Sequence, residues 1–212
     1  MRPLAELLSD DPALPELHEW IAASPSAVTL LPAPDYAGTT LQQLGFTTGS
    51  FLGTLAYSTG GMIVDYWLRI YGGGSAELPR KLVPPGTSFT IPASDATAAG
   101  MILVGDDVVG GFFALDGGVL GNPGKIHYLA PDALEWENLE LGHGAWVASM
   151  LSGAVNQFYA SLRWPTWKGD MKNATADKSF SFYPPLWTKE GSVATSDRRL
   201  VPVTEVLGLK RV

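Results

Sequence analysis

The chain of 212 residues has no cysteine. That excludes disulfides, thiolate zinc sites, iron–sulfur ligation and a cysteine nucleophile, and it fits a reducing compartment. Positive charge is in the minority. Lysine and arginine total 14 against 21 acids, for a net charge of −7, and they form no run. Nothing in such a pattern neutralises a phosphate backbone, so no nucleic-acid partner is expected. Long apolar runs are missing too: none reaches the ~20 residues that span a bilayer. The opening "MRPLAELLSDDPALPEL" lacks the apolar core and small-residue cleavage site of a secretory signal. The expectation is a cytoplasmic protein with no membrane partner. Histidine is scarce, with 3 in all (His18, His127 and His143) and no H-E-x-x-H spacing.

The length suits one domain over 1–212, large enough to bury a core without covalent staples. Leu14, Leu17, Trp20 and Ile21 recur at helical spacing, and Val28, Leu30 and Leu31 predict a short strand. "DYAGTTLQQLG" predicts a helix closed by Gly45. "GMIVDYWLRIYGGG" reads as a single strand, with Ile63, Asp65, Trp67, Arg69 and Tyr71 on one face. Residues 72–100 read as an irregular segment, a candidate lid, with one short strand at Phe89 to Ile91. An antiparallel meander follows over 101–104, 108–115 and 125–130, with Gly110 and Gly111 inside its middle strand. Trp146, Met150 and Leu151 share a helical face that Gly153 stops, and Val155, Phe158, Tyr159 and Leu162 make the next helix. The tail is rich in aromatics and prolines, with an edge strand through Phe180 and Phe182 and a short helix over Val203 to Leu207. The fold class is α/β (α+β): a single mixed, largely antiparallel sheet flanked by helices.

The stretch "GDDVVGGFFALDGG" raises three chemical possibilities. A phosphate loop needs G-x-x-x-x-G-K-[ST] or a G-x-G-x-x-G opening a helix, and neither string is present. A calcium loop needs D-x-[DN]-x-[DN]-G, which is also missing. Turn chemistry accounts for Asp106, Asp107 and Asp116, because aspartate and glycine tolerate turn conformations. No G-x-S-x-G elbow occurs. No catalytic residue, metal site or cofactor is therefore assigned.

Several strings together carry a resemblance: "LAYSTGGMIVDYWLRIYGGG" with the following "LPR", "DDVVGGFFALDGG", "IHYLAPDALEWENLELGHGAW", "FYASLRWPTW" and "SFSFYPPLWTKEG". Across nearly the whole chain they resemble a bacterial family known as domain of unknown function 2625. The middle of the chain also resembles the SUKH superfamily, in which a sheet flanked by helices serves immunity proteins that neutralise toxins by binding them. That resemblance implies a stoichiometric protein binder answering a basic toxin; the candidate acidic contacts in this chain are Asp132, Glu135, Glu137 and Glu140, with Trp136 either an anchor between them or a core residue. The alternative is a small-ligand protein or hydrolase-type enzyme with a pocket along Asp65, Trp67, Arg69 and His143.

Overall fold

The computed structural model describes residues 1–85, 100–133 and 135–209. The strand expected at Phe89 to Ile91 and most of the candidate lid lie outside the described residues. Helices α1 (Leu4–Leu7) and α2 (Leu14–Ala23) each plant one fully buried leucine, Leu7 and Leu17. Strand β1 (Val28–Pro32) leads to α3 (Ala37–Leu44), which ends as expected at Gly45 with φ 75°. Helix α4 (Phe51–Ser58) starts at Ser50, whose hydroxyl accepts the Gly53 N–H at 3.1 Å.

The strands β2 (Thr59–Val64), β3 (Leu68–Tyr71), β4 (Met101–Asp107), β5 (Phe112–Asp116), β6 (Ile126–Leu129) and β7 (Trp136–Asn138) join β1 in a seven-stranded sheet. Spatial order follows chain order and every pairing is antiparallel, so the sheet is not mixed. The run read as one strand is a hairpin. Its chain reverses at Asp65 and Tyr66, with φ 52° and 58°, and the Trp67 N–H bonds the Val64 carbonyl at 3.0 Å. Reversal pairs Met62 with Ile70 and Val64 with Leu68, stacking two apolar halves that alternation alone reads as one continuous face.

The next turn also differs from expectation. Residues 108–111 make the β4–β5 turn, so Gly110 and Gly111 lie between strands rather than inside one. The register slips between Leu103 and Gly105. At Gly105 a Cβ would come 2.7 Å from the Arg69 carbonyl and 3.2 Å from the Trp146 ring, so glycine lets a helix approach the sheet there.

That helix is α5 (His143–Ser149), which runs through a π-helical turn (Met150–Ala154) into α6 (Val155–Phe158), with a kink at Gly153. Trp146 packs on Phe113 at 4.9 Å between ring centres, and Phe158 on Tyr128 at 5.0 Å. Helix α4 packs on β2 and α5, and α2 packs on the π-helical turn, completing one helical layer. The tail forms α7 (Trp167–Asp170), a 3-10 turn (Met171–Asn173), a hairpin of β8 (Lys178–Tyr183) and β9 (Asp197–Pro202), and α8 (Val203–Leu209). The predicted edge strand is thus partnered in a second small sheet. Among the described residues no helix is long and apolar enough to cross a membrane.

Candidate functional site

Register places Arg69 opposite Asp106, and the neighbouring pair Leu68 and Asp107 on the other face of the sheet. Arg69 is fully buried. Its Nε lies 2.8 Å from Asp106 Oδ1, and the Arg80 Nε lies 2.8 Å from Asp106 Oδ2. Of the remaining Arg69 donors, Nη1 reaches into the tail to the carbonyls of Ala176 at 3.0 Å and Lys178 at 2.5 Å, and Nη2 to the Ser179 hydroxyl at 2.9 Å as well as to the Asp107 carbonyl within the sheet. Arg80 also donates to the Tyr71 hydroxyl at 3.1 Å and the Ala176 carbonyl at 2.5 Å. The triad therefore fastens the β8–β9 hairpin to the sheet. Burial opposes the Arg80 charge, but the Asp106 carboxylate and Tyr71 outweigh it and hold the guanidinium ionised. Burial, reinforced by Asp106, pushes the Tyr71 hydroxyl well above its ordinary range, so it accepts as a neutral group.

Asp107 works on the opposite face. Its Oδ1 accepts the N–H groups of Val109 at 3.0 Å and Gly111 at 2.7 Å, closing the β4–β5 turn. Its Oδ2 accepts the Tyr128 hydroxyl at 2.6 Å. Asp116 gathers the N–H groups of Gly118, Leu120 and Asn122 at 2.8, 3.1 and 2.9 Å. Burial opposes its charge, yet these three donors hold its pKa below the usual value. Asp107 and Asp116 are turn residues as expected, whereas Asp106 is an ion-pair residue. The turn reading missed it because sequence does not show which partner faces a strand aspartate.

The pocket expected from Asp65, Trp67, Arg69 and His143 is divided among separate environments. Arg69 is consumed in the triad. Trp67 is fully buried among Tyr159, Trp164 and Trp167, at 5.6, 5.7 and 5.2 Å between ring centres. His143 is buried at the start of α5 beside Trp146, and among the described residues neither of its ring nitrogens has a hydrogen-bond partner. Desolvation lowers its pKa to about 4, so the ring is neutral at physiological pH. Only Asp65 remains near the surface, where its carboxylate meets Arg163 at 2.6 Å.

Two surface features stand near residues singled out in the sequence. At β7 exposure alternates: Glu135, just before the strand, and Glu137 on it are exposed, while Trp136 between them is half-buried against the core. Asp132 and Glu140 are exposed on either side. The Glu140 carboxylate accepts from Asn138 at 3.0 Å and is tied into a local turn. The second feature is a cavity of about 350 Å³ at the β2–β3 tip, lined by Asp65, Tyr66, Trp167, Lys168, Met171 and Lys172. Arg163 lies 4.4 Å from the Trp167 ring centre and 5.2 Å from that of Trp67, and so braces the cavity from behind. Tyr66 is 62% exposed at φ 58°, a left-handed conformation that costs a bulky residue about 1–2 kcal/mol. Sequence reading missed Arg163 and the two lysines. The signal was an arginine in "SLRWPTW", set among aromatics.

The chain belongs to the family described as "Protein of unknown function DUF2625", which matches residues 4–206. It is 37% identical over 210 residues to the uncharacterized protein YbfG of Escherichia coli (strain K12), covering 97% of this chain and 94% of that protein. An uncharacterized protein of Haemophilus influenzae is 40% identical over 154 residues, 72% of this chain and 67% of that protein. No solved structure matches the chain.

Proposed function

We propose that this DUF2625 member is a binding protein that takes a basic protein partner along the outer edge of β7. The observation that carries this reading is a set of exposed acids at a terminal strand of the sheet: Glu137 on β7, with Asp132, Glu135 and Glu140 in the segments flanking it. Among the described residues no strand pairs with the far side of β7. An open edge supplies backbone donors and acceptors to an added strand, while carboxylates steer a cationic partner and set its register. Trp136 lies between Glu135 and Glu137 and supplies the apolar backing of that edge. A basic toxin held stoichiometrically is the partner that the SUKH resemblance suggests.

Charges on an edge strand also discourage self-association, so the experiment must separate the two roles. The full chain and its Glu135→Lys/Glu137→Lys variant serve as baits in a lysate of the source bacterium, at low and high salt, with mass spectrometry of what is retained. The expected result is a basic protein retained one-to-one by the native chain at low salt. The charge-reversed variant should lose it by at least about tenfold, at unchanged melting temperature. Equal retention by both baits, or no specific basic protein, overturns the proposal.

A further inference from the structure

We infer that the cavity at the β2–β3 tip is a binding site for a small organic anion that carries a planar ring. It is lined by no residue of the β7 edge and rests on separate observations. The first is Tyr66. Positive φ at successive turn residues ordinarily selects Asn or Gly, yet here Asp65 and Tyr66 occupy both positions. Asp65 is compensated: its N–H bonds the Ala27 carbonyl at 2.7 Å and its carboxylate pairs with Arg163. Tyr66 is not compensated. Among the described residues its side chain makes no hydrogen bond and no ring contact, and it stays 62% exposed beside the cavity. A strained, exposed aromatic at a cavity mouth is placed to cover a ring.

The second observation is charge. The Asp65 carboxylate is already neutralised by Arg163. Lys168 and Lys172 are exposed; the Lys168 ammonium lies 5.4 Å from the Trp167 ring centre, and among the described residues neither lysine makes an ion pair. The cavity rim therefore carries uncompensated positive charge in a chain whose net charge is −7. Trp167 and Met171 supply apolar, polarisable walls. A volume of about 350 Å³ holds one or two fused rings with an acidic substituent. Ring faces between Tyr66 and Trp167, with a carboxylate or phosphate at the two lysines, satisfy both observations.

The test is calorimetric titration of the full chain with four probes: indole-3-acetate, 1-naphthyl phosphate, tryptamine and inorganic phosphate. Tryptamine has the ring with the opposite charge, and inorganic phosphate has the charge without the ring. The expected result is saturable binding of the two ring anions with Kd below about 1 mM, and at least roughly tenfold weaker binding of the two controls. Comparing the two anions shows whether carboxylate or phosphate is preferred. Lys168→Glu/Lys172→Glu should abolish binding. Tyr66→Gly should weaken it about tenfold while raising the melting temperature, because glycine adopts the turn conformation without strain. Three results would each overturn the inference: no saturable binding of either ring anion, tryptamine or phosphate binding equally well, or full affinity in the Tyr66→Gly chain.

Discussion

Asp106→Asn tests the reading of the triad as the fastening between sheet and tail. The wild-type carboxylate stands 2.8 Å from two guanidinium nitrogens, one on Arg69 and one on Arg80, and all three side chains are buried or nearly so. Asparagine keeps the shape but loses the charge. Its carbonyl oxygen still accepts from one guanidinium, while its NH2 group presents donors to the other. Two buried cations are then left without a counter-charge. Removing one partner of a buried ion pair costs about 3–5 kcal/mol, a large part of the 5–15 kcal/mol typical of a whole domain. For a chain of this size, that is a fall of roughly 6–20 °C in melting temperature. Urea denaturation followed by circular dichroism measures the loss. Limited proteolysis should show new cleavage within the β8–β9 hairpin, because Arg69 holds the carbonyls of Ala176 and Lys178. The combined variant Arg69→Met/Asp106→Leu/Arg80→Met should recover part of the stability, since it buries no unpaired charge. It should not recover all of it, because those carbonyls lose their donors. If Asp106→Asn stays within about 1 kcal/mol of wild type, the triad does not hold the tail.

Two further outcomes follow from the core. Gly111→Ala should destabilise by about 1–3 kcal/mol in urea melts, because the added methyl meets the Asp107 carboxylate and the Tyr128 hydroxyl. His143 makes stability depend on pH. Its folded pKa, about 4, lies below the ordinary value of 6.5, so the unfolded chain binds more protons between those values, and stability falls as pH drops from 6.5 towards 4. The full loss is about 3 kcal/mol, and His143→Leu should flatten that part of the pH profile measured by urea melts between pH 7 and 4.5.

Much of the architecture was legible in the chain. Gly45 closes α3 because a left-handed cap suits glycine, and the helical spacing of Leu14, Leu17, Trp20 and Ile21 matches α2. The three-strand meander was placed in order, although its first turn sits a few residues later than expected. The hairpin at Asp65 and Tyr66 was not legible. Both of its halves are apolar, and the residues at its tip are not the glycine or asparagine that usually mark such a turn. The candidate site divides the same way. Asp132, Glu135, Glu137 and Glu140 stand out as acids in the sequence, but that Glu137 sits on a strand at the edge of the sheet is seen only in the structure.

The sequence by itself determined that no disulfide or thiolate site can form, where several of the helices and strands lie, and that acids cluster between Asp132 and Glu140. All of these depend on composition or on spacing within a few residues. Tertiary structure alone decided that Arg69 shares Asp106 with Arg80 rather than lining a pocket, and that Asp65 meets Arg163. It alone brought Lys168 and Lys172 beside Tyr66. The Asp65–Arg163 pair and the Tyr66 cavity join groups about a hundred positions apart in the chain. Their partners are chosen by strand register and by the path of the tail, and a buried charge accepts whichever counter-charge that path delivers.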